Sequence, residues 1–195
     1  MCRALAILPV RDDRVVTVAY LSDPAADDTA IPSPPFSDFD VFIGGVGIAN
    51  ANQGTTIRAT TMGGVGFTGV DGSGDGSASS VFDVTFRVDE PAAYSLTGWI
   101  EVHPGSTGYV ALLGPGGPLY ELSVPAFVVD IADSGILVAG IDYRLVVAGS
   151  HPDGMDYQAT GWQFSFGISA LPVPEPHSGV LWALGLAILG LARRR

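Results

Sequence analysis

The sequence has no lysine, and its single cysteine is Cys2. No intramolecular disulfide can form, so the fold has to be held by its core. Basic charge is scarce: nine arginines stand against twenty acidic residues, and three of the nine are the terminal Arg193, Arg194 and Arg195. Without those three charges the formal net charge of −11 becomes −14. An acidic body with no basic stripe cannot neutralise a phosphate backbone, which argues against nucleic acid as a partner. It suits a soluble surface or secreted protein. Charged residues make up 15% of the chain, while Gly (26) and Pro (14) are abundant enough to interrupt helices throughout it. The 195 residues suffice for one domain with a proper core and some length left for terminal segments.

What is present is alternation. In residues 79–89, Phe82, Val84, Phe86 and Val88 share one face, and Asp83, Thr85, Arg87 and Asp89 share the other. Period two over that length is a half-buried strand. The same pattern runs through Val16, Val18 and Tyr20; Tyr94, Leu96, Ile100 and Val102; Ile141, Tyr143, Leu145 and Val147; and Trp162, Phe164, Phe166 and Ile168. Turn residues separate these runs at Asp71-Gly72, Pro104-Gly105, Gly114–Gly117 and Asp153-Gly154. Many short strands with one apolar face predict an all-β domain, two packed antiparallel sheets in a β-sandwich or jelly roll, with a closed barrel as the competitor. Residues 22–40 read as a long acidic connection. Residues 43–79, rich in Gly, Ser and Thr, read as edge strands with loops.

The two ends differ from the body. Residues 1–13 carry Arg3, a short apolar stretch from Ala4 to Val10 and then a charged patch; they read either as a truncated signal peptide or leader, or as a first strand. Residues 14–171 are the sandwich domain. In residues 172–195, "PVPEPHSGVLWALGLAILGLARRR", Pro172, Pro174 and Pro176 make a stiff spacer. The fourteen uncharged residues Gly179–Ala192 follow, with Gly179, Trp182, Leu186 and Leu191 among them, and then the arginines. As a helix that stretch spans about 21 Å, short of the ~30 Å hydrocarbon core. It is apolar on every side, whereas a helix packed on a sheet keeps a polar face. A single short C-terminal transmembrane helix is therefore expected. Arg193–Arg195 would stay on the cytoplasmic side and leave the body outside. Such a body needs an export signal at its amino end. None is evident, which favours an incomplete start.

Val173-Pro174-Glu175-Pro176, the apolar helix and the arginine cluster together resemble a PEP-CTERM sorting signal, as found in Gram-negative bacteria. Val173, Pro174, Glu175 and Pro176 are the sorting motif; His177 follows it where a small polar residue is commoner. The resemblance implies export, transient anchoring in the inner membrane, processing by an exosortase, and a final place at the cell surface or in an exopolysaccharide or biofilm matrix.

Signals for other chemistry are weak. Asp71, Ser73, Asp75 and Gly76 match positions one, three, five and six of a calcium loop, but the twelfth position, normally a bidentate Glu, is Phe82; a hairpin loop explains the stretch better. His103, His151 and His177 have no partner at metal-ligand spacing, so no metal or other cofactor is expected. There is no Gly-x-Ser-x-Gly elbow, and nothing marks a carboxylate pair among Glu90, Glu101 and Glu121. The chain therefore reads as non-catalytic, with a glycan-active enzyme as the least favoured reading. Trp99 is out of phase with its strand's core residues and available to stack on a sugar ring, which makes a secreted carbohydrate-binding module, with extracellular polysaccharide as partner, the alternative.

Overall fold

In the computed structural model of the chain, the described residues are 5–20, 26–44, 49–70, 76–152 and 158–172. They contain strands β1 (Ile7–Asp12), β2 (Val15–Tyr20), β3 (Asp28–Ala30), β4 (Phe39–Gly44), β5 (Ala49–Ile57), β6 (Thr61–Val70), β7 (Gly76–Val88), β8 (Ala92–Val102), β9 (Thr107–Gly114), β10 (Gly117–Val124), β11 (Phe127–Leu137), β12 (Tyr143–His151) and β13 (Gln158–Ala170). Two separate antiparallel sheets form. The seven-stranded sheet runs β10-β9-β12-β7-β2-β3, with β1 also on β7; the six-stranded sheet runs β11-β8-β13-β6-β5-β4. This is a sandwich and not a closed barrel. The sorting motif (Val173, Pro174, Glu175, Pro176), the apolar segment (Gly179, Trp182, Leu186, Leu191), Arg193–Arg195 and the 71–75 part of the calcium-like loop lie outside the described residues. Among the described residues no helix is long and apolar enough to cross a membrane.

The alternating runs supply the core. Phe82, Val84, Phe86 and Val88 are fully buried on β7, and Leu96, Ile100, Trp162 and Phe166 are fully buried on β8 and β13 opposite. The sheets meet edge-to-face where Phe82 packs on Phe164 (centroids 4.7 Å apart) and Phe86 on Phe166 (5.3 Å). That geometry suits the ring quadrupoles. Ile141 precedes β12 and packs on the core from its rim. At the amino end, Ile7–Asp12 pair with Val84–Val88 as strand β1, while β2 takes Gly76–Val81 on the same edge of β7.

Residues 43–79 differ from expectation. β4 is an edge strand, but β5 and β6 lie inside the six-stranded sheet, between β4 and β13. Their inward side chains include Ala51, Gln53, Thr55, Gly66 and Thr68, too small or too polar to show apolar alternation. Small residues are needed there. Trp162 on β13 lies against Gly66 of β6 and Gly149 of β12, and donates its indole N–H to the Ser80 carbonyl at 3.3 Å.

At one end a buried cation joins the two sheets. Arg14, 1% exposed in the β1–β2 turn, donates Nε and Nη2 to the Asp12 carboxylate at 2.8 and 2.7 Å. Its Nη1 donates to Thr55 Oγ1 on β5 at 3.0 Å, and Nη2 also reaches the Ser37 carbonyl. Asp12 accepts in addition the Phe36 N–H at 2.6 Å, which holds Phe36 at a positive φ of 63°.

Candidate functional site

The two outer faces of the sandwich are chemically unlike. On the seven-stranded sheet the polar side chains pair with one another: Arg144 with Asp83, Arg87 with Asp142, Thr17 with Ser79, Thr107 with Ser150, and Tyr109 with Glu121. The arginine partnership holds the Asp142 carboxyl below the usual carboxylate range.

The six-stranded sheet presents a different surface. Register places Glu101, Gly161, Phe67, Asn52 and Phe42 in one cross-strand row, and Trp99, Gln163, Val65, Gly54 and Asp40 in the next. Trp99 alternates out of the core and donates its indole N–H to Gln163 Oε1 at 3.1 Å. Its ring extends over Gly161, where a Cβ would meet Cζ3 and Cη2 at 3.4 Å. Phe67 lies along its own strand over Gly69, with Cε1 and Cζ 3.0 and 3.2 Å from a Cβ there. Both glycines face outward yet are buried beneath these rings. The side chains of Asp40, Asn50, Asn52 and Asp130 have no hydrogen-bond partner among the described residues. Exposed Phe42, Val65 and Phe67 complete the surface.

At its β8–β11 rim, a cavity of about 270 Å³ is lined by Glu101, His103, Pro104, Phe127 and Val128. His103 Nε2 stands 3.7 Å from Glu101 Oε1. Glu101 points away from the core, as its place in the strand predicts; it faces no second carboxylate across β13 but Gly161.

His151, at the end of β12, is 1% exposed. Its Nδ1 lies 2.8 Å from Ser106 Oγ, and Ser106 is 3% exposed. The pair fastens the start of β9 to the end of β12. A serine nucleophile has to reach its substrate, and this one is enclosed. Among the described residues no group of three His, Cys, Asp or Glu side chains could hold a metal. Phe82, the twelfth position of the calcium-like loop, is a fully buried core residue.

The domain is thus an all-β, two-sheet sandwich. Residues 172–195 match the PEP-CTERM protein-sorting motif, so the chain carries that signal, which implies an exported, exosortase-sorted protein. No curated protein matches the sequence. Among solved structures, the carbohydrate-binding module TmCBM61 in complex with β-1,4-galactotriose aligns at 10% identity and TM-score 0.32, over 86% of this chain and 88% of that one. The family 11 carbohydrate-binding module of Clostridium thermocellum aligns at 9% identity and TM-score 0.27, over 88% of this chain and all of that one. The enzymatically active domain of the bacteriophage CBA120 tailspike protein 4 aligns at 10% identity and TM-score 0.33 over 62% of this chain, which spans 19% of the tailspike chain.

Proposed function

We propose that this is a non-catalytic, exported protein of the cell surface or exopolysaccharide matrix, handed to an exosortase by its C-terminal tail. The observation that carries the reading is the PEP-CTERM match over residues 172–195. The tail's three parts have separate physical jobs. The proline spacer keeps Pro174-Glu175-Pro176 clear of the bilayer. The apolar segment supplies a marginal, hence transient, membrane hold. Arg193–Arg195 fix the orientation against the anionic cytoplasmic leaflet. Cutting near the triplet frees the sandwich.

Fractionation tests this in a host with its exosortase, using the chain expressed in its full reading frame with an epitope in an exposed loop of the sandwich. The expected product is a shortened, exported body. Changing Pro174-Glu175-Pro176 to three alanines, or deleting the exosortase, should leave the full-length form in the membrane fraction. A cytoplasmic body, or processing indifferent to both changes, would sink the reading.

The non-catalytic part rests on the enclosure of Ser106 and His151. A fluorophosphonate probe that labels accessible, activated serines is expected to leave the purified protein unmodified, as read by intact mass. A single adduct mapped to Ser106 would contradict it.

A further inference from the structure

We propose that the outer face of the six-stranded sheet, centred on Trp99 and Phe67, is a docking platform for a neutral polysaccharide chain. This deepens the matrix reading above, on which it rests for its setting, by naming the ligand class and the face. A sugar ring offers a flat patch of C–H groups on its faces and hydroxyls around its rim. A surface built for it needs aromatic faces lying open and hydrogen-bonding groups beside them.

Side chains on an exposed sheet face normally stand roughly perpendicular to it. Here glycine lets two rings lie down: Trp99 over Gly161 and Phe67 over Gly69. Each ring thereby reaches over glycine backbone and stays partly open to solvent, Phe67 at 39% exposure and Trp99 half-buried. They rest over neighbouring strands, β13 and β6, and Gly69 stands two residues along from the Phe67 that faces Gly161, a diagonal separation of about 7–8 Å that lets one glycan chain run across both. Trp99 is further fixed by Gln163, so little of its freedom is lost on binding.

Charge decides which glycan fits. The polar groups beside the rings are the amides of Asn50 and Asn52 and the carboxylates of Asp40 and Asp130, none of them engaged within the described residues. Among the described residues no arginine lies on the face: Arg11, Arg14, Arg87 and Arg144 belong to the other sheet or its turns, and Arg58 is held by Asp38 in the β5–β6 turn. Carboxylates accept hydrogen bonds from hydroxyls and repel uronates, sulfates and phosphates. The face therefore complements an uncharged chain of hexoses.

The test uses the full chain in mild detergent, run by native affinity electrophoresis through gels containing hydroxyethyl cellulose, galactomannan or polygalacturonate. Retardation by at least one neutral polymer and none by polygalacturonate is expected. Trp99→Ala with Phe67→Ala should weaken it on the order of tenfold or more, whereas Tyr109→Ala, on the opposite sheet, should leave it unchanged. Should the double variant lose its native melting transition, Asn52→Ala with Asp40→Ala serves instead and should also reduce retardation. Migration unaffected by every polymer, retardation indifferent to both pairs of substitutions, or preference for polygalacturonate would overturn the proposal. So would a dimer in gel filtration that the Trp99–Phe67 variant converts to monomer, since a second copy would then own the face. None of these outcomes depends on whether the tail is processed.

Discussion

Arg14→Met is expected to destabilise the sandwich by about 3–5 kcal/mol, read as a lowered midpoint in urea unfolding. For a domain whose total stability is on the order of 5–15 kcal/mol, that is a large share. The cause is less the lost guanidinium than the carboxylate it leaves behind. The Arg14 and Asp12 side chains are 0% and 1% exposed, and four hydrogen bonds run from the guanidinium to Asp12, Thr55 and the Ser37 carbonyl. Methionine fills part of the volume but leaves Asp12 ionised in a dry site. Removing the second charge should restore part of the loss, so Arg14→Met with Asp12→Asn is expected to be more stable than Arg14→Met alone.

The pH dependence gives an independent check. Burial alone would push the Asp12 carboxyl up, but the hydrogen bonds from Arg14 and the Phe36 N–H, with the Arg14 charge, outweigh it and hold the folded pKa below the ordinary carboxylate value. A depressed folded pKa contributes stability above the unfolded value, near 4, and loses it as the pH falls through the folded value. In Arg14→Met the guanidinium's hydrogen bonds and charge are gone, and burial is opposed only by the backbone N–H groups of Phe36 and residue 14, so the depression of the folded carboxyl shrinks and with it the stability that Asp12 contributes above the unfolded value. The gap between wild type and variant is therefore widest at neutral pH and narrows on acidification below about pH 5. A gap independent of pH would mean that Arg14 acts through packing alone.

Neither feature was readable in the sequence, and the reason is general to sandwiches. Strands whose inward residues are Phe, Val, Leu and Trp announce themselves: Phe82–Val88 and Trp162–Ile168 alternate without a break, and both are interior strands. β5 and β6 are interior strands too, but their inner faces carry Ala51, Gln53, Thr55, Gly66 and Thr68, so the side that packs inward is not marked by hydrophobicity. Arg14 sits in a run of charges, Arg11 to Arg14, that looks solvated; it is enclosed by Thr55 of the other sheet and the Ser37 carbonyl of the β3–β4 connection. The platform was half legible. The phase of Trp99 set it outside the core, but its floor depends on register: Gly161 meets Phe67 across β13 and β6, a pairing that no local pattern encodes. The tail is the opposite case, since a sorting signal is read by a membrane enzyme as order and composition, and those are sequence properties.

The second large effect is expected at Gly66. A Cβ there would fall inside the envelope of the Trp162 indole, at Cε2 and Cζ2, and against Ser80 Oγ. The indole has nowhere to retreat: a Cβ at Gly149 on the facing sheet would stand 3.3 Å from its Cδ1, and its N–H is tied to the Ser80 carbonyl. Gly66→Ala should therefore destabilise by about 3 kcal/mol, or roughly 6–12 °C in Tm for a domain of this size. The methyl group is small; the loss comes from a rigid, fully buried ring that has to leave its rotamer. Trp162→Phe takes away the outer part of the indole that collides and leaves only Ser80 Oγ, the end of a short side chain that can turn aside. By itself it destabilises, because a smaller ring leaves part of the slot unfilled. On that background Gly66→Ala should cost less than about 1 kcal/mol, since the alanine methyl enters space the indole has vacated. The double-mutant cycle is thus expected to show a coupling energy of about 2 kcal/mol, with the two substitutions partly compensating. Simple additivity in chemical denaturation would show that the glycine is required by its backbone and not by the tryptophan. The cycle therefore tests the central packing claim directly: small residues in β6 and β12 are what allow Trp162 to lie between the two sheets.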